Sequence, residues 1–108
     1  MSGLLPVDGL QDVVVHCDRA LEFRGCIICD LLSYVMNKGK RSQVWITHHV
    51  HPNIVAVASL KEFAAVIAVG GGELDEETID KARVEGVNLL TTALQAYDVA
   101  IKIAKLQG

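Results

Sequence analysis

Apolar residues along this chain fall into short compact runs separated by longer stretches of mixed polarity. The runs are Val13-Val14-Val15, Cys26-Ile27-Ile28-Cys29, Val44-Trp45-Ile46-Thr47, Ala64 to Val69 and Val87 to Leu90. They are rich in β-branched side chains and too short for helices, which is how strands buried on both faces read. Residues 1–12, with Gly3, Pro6 and Gly9, read as a loosely held lead-in, and Asp18 to Arg24 as a turn or loop.

The stretches between the runs carry helix signals. Asp30 is placed to cap a helix through Leu31, Leu32, Tyr34, Val35 and Met36, with Asn37 and Gly39 as its stop. Pro52 to Lys61 mixes signals. Ile54, Val55 and Val57 favour strand, whereas Pro52 at a first helical position, Ala56, Ala58, Leu60 and a closing Lys61 favour helix. Helix is expected, because another buried strand follows. Asp75 caps the next helix, Glu76 and Glu77 suit its positive end, Leu74 and Ile79 are spaced as a hydrophobic staple, and Gly86 ends it. Thr92 with Gln95 predicts a capping box for a final helix over 93–106, with Leu94, Tyr97, Ile101 and Ala104 as its inward stripe.

From residue 26 the order is thus strand–helix four times. Alternation of this kind predicts parallel strands joined by helical crossovers. The expected fold is α/β: residues 1–108 as one three-layer domain with a mostly parallel sheet. Such sheets bind ligands at the carboxyl ends of their strands. Those ends are Asp30, Thr47 to Asn53, Gly70 to Gly72, and Thr91-Thr92.

Composition narrows the function. At 51% hydrophobic and 21% charged residues, the chain has the apolar material for a packed core. A net charge of −3 and aromatics at 5% argue against a nucleic-acid surface, and the densest basic group, Lys38, Lys40 and Arg41, reads as a solvated helix end. The longest apolar run, Phe63 to Val69, is far short of the ~20 residues a membrane helix needs. Three cysteines, an odd number, do not make a disulfide framework, and no secretory pattern opens the chain, so the cytoplasm is the expected compartment.

The middle of the chain also carries a family likeness. Cys29-Asp30-Leu31-Leu32-Ser33-Tyr34-Val35-Met36 resembles the "SDLLSDVM" segment of DRTGG domains. Val44-Trp45-Ile46-Thr47 and the run from His51 to Lys61 resemble the segment after it, and Asp75-Glu76-Glu77-Thr78 and Leu89-Leu90-Thr91-Thr92 fit as well. The likeness spans residues 26–106. The signature that names the family is altered: Asp18-Arg19 is followed only later by Arg24-Gly25-Cys26, with one glycine. The resemblance implies a fold similar to the amino-terminal domain of HPr kinase/phosphorylase. It also implies a regulatory or dimerising role without catalytic residues.

The candidate chemistry is concentrated in imidazoles. His48, His49 and His51 fall within four residues, before a helix start, with His16 elsewhere. A helix amino terminus favours anions, and histidines nearby would assist. The expected ligand site is Asp30, Thr47, His48, His49, His51, Asn53, Gly71 and Thr92, taking a small anionic metabolite or nucleotide. No cofactor is expected. The alternatives are a metal on His48, His49 and His51, serving a metal carrier or a small enzyme, and a plain helix cap with solvated imidazoles. Cys26 and Cys29 have redox spacing, but on a strand they point to opposite faces and read as buried structural thiols, a thiol switch being the alternative. Cys17 stands alone. Gly70-Gly71-Gly72 lacks the residues of a phosphate loop and reads as a turn. The partners expected are such a ligand, a second copy of the chain or a different protein, with neither nucleic acid nor membrane.

Overall fold

The computed structural model describes residues 3–4, 12–15 and 22–106, with side chains described from residue 22 to residue 105. His16, Cys17 and Asp18-Arg19 lie outside the described residues. In chain order the elements are β1 (Gly3–Leu4), β2 (Asp12–Val15), β3 (Glu22–Phe23), β4 (Cys26–Ile28), α1 (Leu32–Lys38), β5 (Val44–Thr47), α2 (Asn53–Lys61), β6 (Ala65–Ala68), α3 (Glu76–Glu85), β7 (Leu89–Thr91) and α4 (Ala96–Leu106).

The main sheet has five strands in the order β2-β7-β6-β5-β4. β4, β5, β6 and β7 are mutually parallel, and β2 joins the β7 edge antiparallel, with a register irregularity between Val13 and Val15. The expected α/β fold with a mostly parallel sheet is borne out. The strand–helix alternation is seen four times from residue 26, and the ambiguous stretch after Pro52 is a helix.

Side-chain alternation along the strands feeds two cores. Val44, Ile46, Ala65, Ile67 and Leu90 face one side, where Phe23, Val99 and Ile103 cover them. Trp45, Val66 and Leu89 face the other, against Val35 of α1, Ile54, Val55 and Ala58 of α2, and Ala82 of α3. Three helices therefore lie on one face and α4 on the other, which gives the three layers. Trp45 is fully buried: its indole N–H donates to the Cys29 carbonyl at 2.9 Å, and its ring meets Phe63 edge-on with centroids 5.8 Å apart.

Cys26 and Cys29 pack against opposite cores, as strand alternation requires, so they cannot bridge. Burial pushes the Cys26 thiol up to about 11, which keeps it protonated and unreactive at neutral pH.

Several local expectations are corrected. Glu22–Phe23, inside the stretch read as loop, pairs antiparallel with Gly3–Leu4, itself inside the stretch read as lead-in. Phe23 is fully buried; as a single apolar residue between Glu22 and Arg24 it leaves no period to read. The last strand begins two residues later than expected, at Leu89. Asp75 precedes α3 but makes no side-chain cap bond, whereas Gly86 does end it at φ 71°. Gly39 stops α1 for a different reason from the one expected. Its φ is −62°, but a Cβ there would come 2.5 Å from the Phe63 ring and 2.6 Å from the Val35 carbonyl.

The final helix starts at Ala96 rather than 93, and its inward residues are Val99 and Ile103. Of the expected stripe, Tyr97, Ile101 and Ala104 face outward; only Leu94, ahead of the helix, packs inward. The helix has two apolar faces, and the position of the sheet, which the sequence does not show, selects between them.

Candidate functional site

The carboxyl ends of β4 to β7 deliver four outgoing loops to one edge of the sheet, and hydrogen bonds join each loop to the next. The Val69 amide donates to the Thr47 carbonyl at 2.9 Å, and the Thr92 amide to the Ala68 carbonyl at 3.0 Å. Gly70 and Gly71 donate to the carbonyls of Leu94 and Thr92 at 2.9 and 3.0 Å. Thr78 of α3 donates its hydroxyl to the Val50 carbonyl at 2.7 Å. The imidazole-rich segment and the glycine turn are neighbours on this rim. Gly70 and Gly71 have φ of 84° and 78°, the left-handed region that glycine enters without strain. A Cβ on Gly70 would also come 3.2 Å from His48 Cδ2.

Asp30 is the hub of one end of the rim. It does not cap α1; Leu31 takes that position, without a side-chain bond. Instead Asp30 Oδ1 accepts from the Thr47 hydroxyl and the His48 amide, both at 2.7 Å, and Oδ2 accepts from His48 Nδ1 at 2.9 Å. His49 Nε2 bonds the Asp30 carbonyl, and the His49 amide donates to Thr47 Oγ1 at 3.2 Å. Burial alone would raise the Asp30 carboxyl. The His48 amide, the Thr47 hydroxyl and the His48 imidazole outweigh it and hold the carboxyl below its ordinary range. Thr47 is buried, while the side chains of Asp30 and His48 are about half exposed.

The remaining expected residues are placed differently. His51 and Asn53 are exposed at the start of α2, where the Asn53 amide donates to His51 Nδ1 at 3.2 Å. The next two amides, Ile54 and Val55, bond the carbonyls of His51 and Pro52. The helix start is therefore capped from within its own loop. Thr92 is buried, and its hydroxyl accepts from the Leu94 amide at 3.1 Å, closing a turn rather than a capping box with Gln95. The Gly71 amide is spent on Thr92. Asp30, Thr47, His48 and His49 form one network, His51 and Asn53 a second group, and Gly71 and Thr92 a third. No group of three or more His, Cys, Asp or Glu side chains among the described residues is arranged to hold a metal.

Across the glycine turn lies an open cleft of about 330 Å³ lined by Gly72, Glu73, Leu74, Ile79 and Thr91. Sequence reasoning assigned Leu74 and Ile79 to a staple and Glu73 to a helix start, so the cleft went unread. The usable signal was that a staple pair beside a strand end presents apolar surface at the rim. Glu73, Asp75, Glu76 and Glu77 make this end acidic, opposite in character to the imidazole end.

No family model matches the chain, and no curated protein does. Among solved structures, the chain is similar to the CBS and DRTGG domains of the regulatory region of Clostridium perfringens pyrophosphatase, crystallised with the activator diadenosine tetraphosphate. The TM-score is 0.73 at 13% identity, over 93% of this chain. The chain spans 43% of the length of that structure. The likeness is one of fold, and the DRTGG-like architecture expected from residues 26–106 is the architecture observed. No helix among the described residues is long and apolar enough to cross a membrane.

Proposed function

We propose that the chain is a non-catalytic regulatory domain that senses a nucleotide or a similar small anion on the rim of its sheet. One observation carries this: the fold is similar to 43% of the length of a regulatory region that was crystallised with a dinucleotide activator. The chemistry of the rim fits the same role. Leu74 and Ile79 offer an apolar wall for a planar base, with Glu73 and the Thr91 hydroxyl beside it to meet polar edges. His48 and His51 are the exposed imidazoles at the other end, where phosphate is the natural counterpart. The carboxylates around the cleft repel phosphate, so a nucleotide has a preferred direction along the rim.

Residues 1–108 are taken as one such module, working in the cytoplasm as a homodimer, its partner a second copy rather than a different protein. Metal binding by His48, His49 and His51 has less support, because no three His, Cys, Asp or Glu side chains among the described residues are grouped to hold an ion. Metal analysis of protein purified without a histidine tag tests that alternative: a stoichiometric transition metal would favour it.

Thermal unfolding with diadenosine tetraphosphate, adenosine and inorganic tripolyphosphate tests the proposal. The dinucleotide is expected to raise Tm more than either fragment. Binding to the folded state alone adds about 2.7 kcal/mol at 100 times Kd. An unchanged Tm in all three arms overturns it.

A further inference from the structure

The outer face of α4 carries Tyr97, Ile101 and Ala104, and nothing among the described residues covers it. Tyr97 is 74% exposed and Ile101 38% exposed, and Ala104 lies between them and the helix end. The opposite face, Val99 and Ile103, is fully used against the sheet.

We infer that this face is a homodimer interface, formed by two α4 helices packed antiparallel about a two-fold axis near Ile101. This rests on the homodimer in the functional proposal and names its surface. At about 100° per residue, Ile101 lies at the centre of the outer face. Asp98 and Lys105 fall on one flank of it, Tyr97 and Ala104 on the other. A two-fold axis perpendicular to both helices reverses one against the other while keeping like flanks together. Asp98 then faces the partner's Lys105, and Lys105 faces the partner's Asp98. On the other flank, Tyr97 lies over the partner's Ala104, a large ring against a small side chain. A parallel two-fold pairing would instead exchange the flanks, setting Asp98 and Lys105 against the partner's Tyr97 and Ala104 and leaving both charges without a counterpart. The order of charge along the helix therefore selects a second, reversed copy of this same surface. Lys102, further round the charged flank, is left to solvent.

Light scattering after size exclusion, over a concentration series, reads the mass. Wild type is expected to approach twice the chain mass as concentration rises, and Ile101→Asp to remain monomeric. Because Ile101 is partly exposed and Tyr97 largely so, Tyr97→Ser serves as a second, milder break, with circular dichroism confirming that both variants fold. Asp98→Lys and Lys105→Asp should each raise the dimer Kd about tenfold, since symmetry counts each contact twice. The double exchange should return it to near the wild-type value. A wild type monomeric throughout, or a dimer indifferent to Ile101→Asp and Tyr97→Ser, overturns the interface. Failure of the double exchange to restore association overturns the antiparallel arrangement. The nucleotide-dependent Tm is read separately, so a monomer that still responds to ligand removes the interface and leaves the sensing role standing.

Discussion

The two ends of the rim are built on opposite plans. At the β4–β5 end, polar groups have found each other: Asp30 binds Thr47 and His48, and His49 returns to the Asp30 carbonyl. At the β6–β7 end, Leu74, Ile79 and Glu73 stand around an open cleft. The first end is a clasp that holds two loops in place, and the second offers its surface to solvent. A ligand at the clasp must compete with bonds already made, whereas one in the cleft displaces only water. Recognition is thus expected to be anchored in the cleft and tuned by the imidazoles.

Substitutions graded by their cost to stability separate the two plans. The largest effect is expected from Thr47→Val, which removes a buried hydroxyl and leaves Asp30 short of a donor. Urea unfolding should show a loss of about 1–3 kcal/mol; a loss below about 0.5 kcal/mol would mean that the clasp holds nothing. Asp30→Asn follows at about 1–2 kcal/mol near neutral pH, less than for a buried network because the carboxylate is half solvated. Its acid limb is the sharper test. The folded pKa of Asp30 lies below the unfolded value of about 3.9, so its contribution is present above that value and is lost as pH falls through the folded pKa. Wild type should therefore lose stability more steeply than Asp30→Asn as pH drops below about 4. Parallel acid limbs would break the assignment.

The cleft should behave the other way. Leu74→Ala is expected to cost about 1 kcal/mol, because the side chain is only partly buried, yet to remove most of the nucleotide-induced rise in Tm. Glu73→Gln should change stability by less than about 0.5 kcal/mol and still lower the response to adenosine. If clasp variants erase ligand response while cleft variants leave it intact, the division of labour is reversed.

The strands β5 and β6 were legible because each is an apolar run with polar or glycine punctuation, and α3 because its terminal signals all agree. α4 was misread because apolar residues line both its faces. Asp30 was read as a helix cap because Asp is a favoured capping residue and stands just ahead of the run from Leu31 to Met36. Its actual partners, Thr47 and His48, are 17 and 18 residues away. Local sequence reports local bonds, and only the parallel pairing of β4 with β5 makes that distant bond available. The rim residues themselves were foreseen, since they follow from where parallel strands end. The cleft was not, because its walls carry residues that a helix start explains equally well.

Trp45 is the sole tryptophan and sits on β5 two residues before Thr47. Sealed against Phe63 and bonded to the Cys29 carbonyl, it is an optical reporter placed under the rim. Its emission should shift to longer wavelength when the core opens. Unfolding of every variant named above can therefore be followed by intrinsic fluorescence, with no dye or label attached.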